Sequence, residues 1–227
     1  MPRILSMGVF PAIVVSLLLV TGLATECRAQ GAGMTGITTA TTREMNDTMD
    51  MGRQTPQKFE QEDDPTIAQH PIPQHQPTRA ARKAAEKGEH FAKKKMHEEA
   101  IAQYKEALTL DPLYYDAGID LAMEYEAMGN RAEAENTYRN LMKSAPEHVL
   151  AFTNLAALLS QEHHYAEAEA VMRQAMKQHS YSFKANLTLG TVLVDEGKLT
   201  AEAKNTLEYA KVRYPQAKAM LQKWPAQ

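Results

Sequence analysis

Tyr115-Asp-Ala-Gly-Ile-Asp-Leu-Ala-Met-Glu-Tyr-Glu-Ala-Met-Gly-Asn-Arg-Ala-Glu-Ala-Glu-Asn-Thr-Tyr-Arg-Asn-Leu-Met-Lys-Ser-Ala-Pro146 is the stretch that decides the fold. Apolar and small residues recur in it at helical steps: Leu121, Ala122 and Tyr125 in the first half, Ala134, Tyr138 and Leu141 in the second. That spacing gathers them on one face of a helix in each half. Gly129 separates the halves and suits the left-handed residue on which helices end. Pro146 fits the start of a following helix, where its missing N–H is no loss. The stretch is a helical hairpin. One hairpin cannot bury its own apolar face, so it needs neighbours of the same kind.

Those neighbours occur at a fixed step. Asp111-Pro112 and Ala145-Pro146 are 34 residues apart, as are Ala100, Ala134 and Ala168. Gly88, Ala122, Ala156 and Gly190 keep the same step, and so do Phe91 with Tyr125 and Tyr104 with Tyr138. Ala132-Glu-Ala-Glu-Asn-Thr-Tyr138 is echoed by Ala201-Glu-Ala-Lys-Asn-Thr-Leu207, and Tyr165-Ala-Glu-Ala-Glu-Ala170 has the same character. A period of this length marks a stacked-repeat architecture.

On these residues the chain resembles the tetratricopeptide repeat family. The first repeat supplies Gly88, Phe91, Ala100, Tyr104, Ala107 and Pro112. The second supplies Leu121, Ala122, Tyr125, Ala134, Tyr138, Leu141 and Pro146. The third has Phe152, Leu155, Ala156, Ala168, Met172 and Ala175, with Ser180 where proline is expected. The fourth has Leu189, Gly190 and Gly197, then one extra residue in its turn before Ala203, Leu207, Ala210 and Pro215 resume the pattern. The resemblance implies an all-α, right-handed superhelical solenoid of about four hairpins over residues 79–227, with repeats near 81–114, 115–148, 149–182 and 183–217. The small residues allow close helix crossings, and the aromatics fill the space between hairpins. A final helix, Gln216–Trp224, is expected to cover the end with Met220, Leu221 and Trp224.

The resemblance also implies that the first helices line a concave groove for an extended or helical peptide. Carried over by position, the groove comprises Glu89, Ala92, Lys93, Asp116, Ile119, Met123, Glu126, Leu150, Thr153, Asn154, Ala157, Lys184, Leu187, Thr191 and Val194. Ile119, Met123, Leu150, Leu187 and Val194 make an apolar floor in this reading, or else pack within the array. One branch of the family grips a carboxyl-terminal tail with Lys, Asn and Arg side chains. Asn154 and Lys184 suit that role, but Glu89, Ile119 and Met123 stand where basic or amide groups are needed.

Upstream, residues 30–78 hold one aromatic, Phe59, and no apolar periodicity. The prolines of Asp64-Pro-Thr-Ile-Ala-Gln-His-Pro-Ile-Pro-Gln-His-Gln-Pro77 exclude a helix or a central strand. This segment is a solvated, disordered spacer. Met45, Met49, Met51, His70 and His75 offer thioether and imidazole groups that suit Cu(I), although their irregular spacing favours a plain flexible tail. Residues 1–29 combine Arg3, an apolar run from Val9 to Val20 and a small-x-small site at Cys27-Arg28-Ala29, the order of a secretory signal peptide. Its alternative is an N-terminal membrane anchor. The expected location is the periplasm or exterior, with inner-membrane anchoring as the alternative.

Composition narrows the function. The net charge is −3, and all of it falls in residues 1–78, because the repeats carry equal numbers of each sign. A neutral array has no footprint for nucleic acid, and a membrane contact would involve only the N-terminal segment. The single cysteine, Cys27, rules out an intramolecular disulfide. No phosphate loop or HExxH is present, and no catalytic, metal-ligating or cofactor-binding set can be assembled from the repeats. His163-His164 and Lys93-Lys94-Lys95 are solvated turn and helix-end residues. The expectation is a non-catalytic adaptor that binds a protein or peptide partner in the cell envelope, with a structural subunit of a secretion, pilus or outer-membrane assembly as the alternative.

Overall fold

The computed structural model describes residues 63–65 and 75–225. Among these, residues 75–225 form nine helices and no strand. They are α1 Arg79–Lys93, α2 His97–Leu110, α3 Tyr115–Ala127, α4 Arg131–Ser144, α5 Leu150–Gln161, α6 Tyr165–Met176, α7 Phe183–Asp195, α8 Ala201–Ala210 and α9 Pro215–Gln222. Each packs against the next, and successive first helices also touch, α1 with α3 and α5 with α7. The array is an all-α solenoid of four hairpins and a closing helix, as the period predicts.

Burial separates two layers. Each second helix buries a single stripe: Ala134, Tyr138 and Met142 on α4, and Ala168, Val171, Met172 and Ala175 on α6. These recur at the three- and four-residue steps of one helical face. The first helices α3, α5 and α7 are buried on several sides, whereas α1, at the start of the array, buries only Ala81, Ala84, Ala85 and Gly88. On α5, Leu150, Ala151, Phe152, Thr153, Leu155, Ala156, Leu158 and Leu159 are all buried. They are the inner layer, held between their own second helix and adjacent repeats.

Small residues sit where helices cross. A Cβ on Gly88 would lie 2.9 Å from the Tyr104 ring of α2, and one on Gly118 would lie 2.6 Å from Leu141 of α4. Each connection inside a repeat turns through a left-handed residue: Lys95 (φ 59°), Gly129 (φ 77°), His163 (φ 63°) and Gly197 (φ 82°). These four positions are spaced by 34 residues, so the backbone repeats more faithfully than the side chains. The longer fourth turn ends on Thr200, whose Oγ1 accepts the Ala203 N–H at 3.2 Å and caps α8.

Two expectations need correction. Pro112 and Pro146 lie in the turns between repeats and not at a helix start, since α3 begins at Tyr115 and α5 at Leu150. Only Pro215 takes the first helical position. The upstream segment is not wholly solvated either. Asp63 is 0% exposed, and the His75 imidazole lies 2.8 Å from the Asp111 carboxylate, which also accepts the Thr78 N–H at 2.9 Å. The residues of the signal-peptide reading, and Met45, Met49, Met51 and His70 of the copper reading, lie outside the described ones, whereas His75 is paired with Asp111.

Candidate partner-binding face

The repeat period stacks the first helices so that equivalent residues form rows. Arg82, Asp116, Leu150 and Lys184 make one row, Glu86, Asp120, Asn154 and Thr188 a second, and Glu89, Met123, Ala157 and Thr191 a third, each at steps of 34 residues. In the third row Glu89 is exposed, and Met123, Ala157 and Thr191 are partly exposed.

The residues expected to form the groove divide by exposure. Glu89 and Lys93 are exposed and pair with each other at 2.5 Å. Ala92, Met123, Glu126, Asn154, Ala157, Thr191 and Val194 are half-buried. Ile119 and Leu150 belong to the main apolar cluster, and Leu187 to a second one with Leu207, Ala210, Tyr214 and Ala217. These three are packing residues, so the apolar floor shrinks to Met123 and Val194, with the half-buried Ala157 in the same row as Met123. Asp116, Thr153 and Lys184 are buried polar groups.

Hydrogen bonds hold several of these side chains in place. The Tyr138 hydroxyl donates to Glu126 at 2.5 Å and is also hydrogen-bonded by Asn154. Burial raises the Glu126 carboxyl, while the Tyr138 donor opposes that rise. Glu126 and Asn154 are therefore tied to α4 through one phenol. Thr191 Oγ1 donates to the Leu187 carbonyl at 2.9 Å and lies 3.8 Å from the Met220 sulfur of α9.

Charge is segregated along the face. Asp120 is pushed up to about 8, first by burial and then by the neighbouring Asp116, Glu89 and Glu124 carboxylates. At the other end burial pulls the Lys184 ammonium down to about 8, and the nearby Asp63 carboxylate opposes that. Carboxylates thus crowd the inner face around Asp120, while Lys184 is buried beside Asp63 at the start of α7. Sequence reasoning did not single out Asp120, although it lies one helical turn from Asp116 on the same stripe. It also missed Ser160, which donates to Asp195 at 3.0 Å across the third and fourth repeats, where burial pushes the carboxyl up to about 6.

The outer face carries a ladder that the sequence reading also missed. Arg139 pairs with Glu135 of its own helix and Glu167 of the next repeat, and Arg173 does the same with Glu169 and Glu202. Among the described residues no group of three or more His, Cys, Asp or Glu side chains is placed to hold a metal ion. No described helix is long and apolar enough to cross a membrane.

Comparison with known proteins agrees with this architecture. Residues 91–159 match the model of the tetratricopeptide repeat family, and no curated protein matches the chain. Among solved structures, a thermophilic tetratricopeptide repeat protein of Thermus thermophilus superposes with a TM-score of 0.53 at 17% identity, covering 64% of this chain and 81% of that one. PilW, described as a widely conserved type IV pilus biogenesis factor, gives 0.54 at 18% identity over 64% of this chain and 72% of its own. YrrB, described as having an unusual peptide-binding site, gives 0.51 at 16% identity over 63% and 75%. Residues 91–159 thus match the tetratricopeptide repeat family, and with the 34-residue step, the paired helices and the small-residue crossings the array as a whole shares the fold of tetratricopeptide repeat proteins.

Proposed function

We propose that this protein is an exported, non-catalytic adaptor whose array binds a segment of another protein along the inner face of α3, α5 and α7. Tetratricopeptide repeats are generally non-catalytic scaffolds for protein–protein interaction. The observation that carries the finer reading is the row Met123, Ala157 and Thr191, partly exposed and in register in successive repeats. Beside it, carboxylates crowd one end and Lys184 stands at the other. An extended segment laid along the row would set apolar side chains on Met123 and Ala157. Its basic residue would lie beside Glu89 and Asp120, and its acidic residue would lie toward the start of α7. Such complementarity fixes direction and partner choice more than raw affinity.

Export rests on the apolar run and cleavage site in residues 1–29. The structural-subunit alternative draws less support, because an obligate interface is large and apolar. The large exposed apolar residues here, among them Leu110, Leu113, Leu199 and Val212, fall at helix ends and in connections, not on the inner row.

Affinity capture from a native envelope extract tests the proposal, with residues 30–227 as bait beside the same bait carrying Met123→Glu, Ala157→Glu and Thr191→Glu. The expected result is one protein retained by the first bait and lost from the second, with unchanged circular dichroism. Equal retention by both baits would move binding away from the inner face.

A further inference from the structure

At the start of α7 the array builds a socket for a carboxylate, and a side chain from outside the repeats fills it. Asp63 Oδ2 accepts from Ser182 Oγ at 2.5 Å and from the Lys184 N–H at 2.9 Å. Its Oδ1 accepts from the Tyr214 hydroxyl at 2.8 Å, with the Arg213 Nε at 3.8 Å. The donors come from two places, the cap and first turn of α7 and the connection between α8 and α9. Ser182 Oγ in turn accepts the Ala185 N–H at 3.0 Å, which fixes its proton toward Asp63. Converging charged and neutral donors at a helix N-terminus are what a carboxylate needs in place of water.

The socket belongs to the repeats and its occupant does not. Asp63 lies 119 residues before Ser182, within the acidic run Glu60-Gln-Glu-Asp-Asp64. Lys184, whose backbone N–H forms part of the socket, ends the row Arg82, Asp116, Leu150 and Lys184. The socket is therefore at the α7 end of the face assigned above to the partner.

We propose that this socket is the acidic-residue subsite of the partner-binding face, and that the tether's own Asp63 occupies it in cis until an acidic side chain of an incoming peptide displaces it. This inference rests on reading the inner face as an interaction surface. A tethered segment competes at an effective concentration on the order of millimolar. Against an intrinsic affinity on the order of 100 micromolar, it would weaken an incoming peptide by about tenfold.

The test uses the full chain and a labelled synthetic peptide of residues 57–65, followed by fluorescence anisotropy. The Asp63→Ala protein is expected to bind this peptide about tenfold more tightly than wild type. A peptide carrying Asp63→Asn should lose that advantage, and adding Tyr214→Phe to the Asp63→Ala protein should weaken binding. Equal affinities for wild type and Asp63→Ala would overturn the inference, as would a gain that survives in the Asn peptide. Should Asp63→Ala disturb folding, hydrogen exchange at the Lys184 amide replaces anisotropy: it should quicken in Asp63→Asn and slow again when wild-type peptide is added. No slowing sinks the idea. Partner capture that depends on Met123 and Ala157 but ignores both Asp63 and Tyr214 overturns the subsite and leaves the adaptor reading standing.

Discussion

Gly190→Ala sets two effects against each other, and the geometry of the crossing between α7 and α8 decides the outcome. An added Cβ would stand 2.7 Å from Leu207 Cγ, 2.8 Å from Leu207 Cδ2 and 2.8 Å from Thr206 Oγ1. Leu207 is 0% exposed, and its Cγ is a branch point close to the α8 backbone, so it has little freedom to retreat. Replacing an interior helical glycine by alanine gains about 0.5–1 kcal/mol of backbone entropy. Overpacking a tight core costs about 1–3 kcal/mol. With three contacts inside 3 Å, overpacking should win by about 1–2 kcal/mol. For a domain of this size the melting temperature should then fall by about 3–8 °C, measured by far-ultraviolet circular dichroism. The companion variant Leu207→Ala alone should cost about 2–5 kcal/mol. In the Gly190→Ala background it should cost less, because it removes two of the three crowding atoms, a coupling of at least about 0.5 kcal/mol. A Gly190→Ala protein that melts at or above the parent, or strict additivity with Leu207→Ala, would refute the close-crossing argument.

Lys95 and His163 hold left-handed backbone that Gly129 and Gly197 adopt without strain. Lys95→Gly should therefore stabilise by about 0.5–1 kcal/mol, and Gly129→Ala should destabilise by about 1 kcal/mol, in urea unfolding of each. Asp120 has a folded value near 8, raised by burial and then by Asp116 and its other acidic neighbours. A raised carboxyl contributes stability that is full below its unfolded value and is lost as pH rises through its folded one. Asp120→Asn should thus raise the melting temperature near about pH 9 and give no gain near about pH 4; a gain at both would assign it to packing. Arg173 bridges Glu169 and Glu202 on an exposed surface, so Arg173→Ala should cost under about 1 kcal/mol. That loss should fade in about 1 M salt.

What the sequence shows plainly is whatever every repeat must do alike. The pairings of Gly88 with Tyr104 and of Gly190 with Leu207 recur because each hairpin solves the same crossing, and the 34-residue step exposes them. The extra residue in the fourth turn is legible for the same reason. Which apolar residues of the first helices face a ligand is not legible, since an inner-layer helix is buried on several sides and its periodicity blurs. Ile119, Leu150 and Leu187 accordingly proved to be core residues. The outer ladder was available in the 34-residue spacing of Glu135 with Glu169 and Arg139 with Arg173. Asp63 offered no such signal. Its partners lie more than a hundred residues downstream, and a short acidic run looks the same whether solvated or docked.

The location of the Asp63 socket has a consequence for the stability of the array. A terminal repeat has a neighbour on one side only, so the fourth hairpin depends on what closes it. Here Met220 and Leu221 of α9, with Trp224 just beyond it, pack against the cluster of Leu187, Leu207, Ala210, Tyr214 and Ala217. Tyr214 belongs to that cluster and also donates to Asp63, while Ser182 caps α7 and donates to the same carboxylate. A seated carboxylate therefore joins the start of α7 to the connection before α9, and by linkage it stabilises the folded end over the frayed one. Emptying the socket with Asp63→Asn should quicken amide exchange in the first turn of α7 and in residues 211–217, and leave α3 and α5 unchanged. A uniform change along all four repeats would show that Asp63 acts on global stability and not on the end of the solenoid.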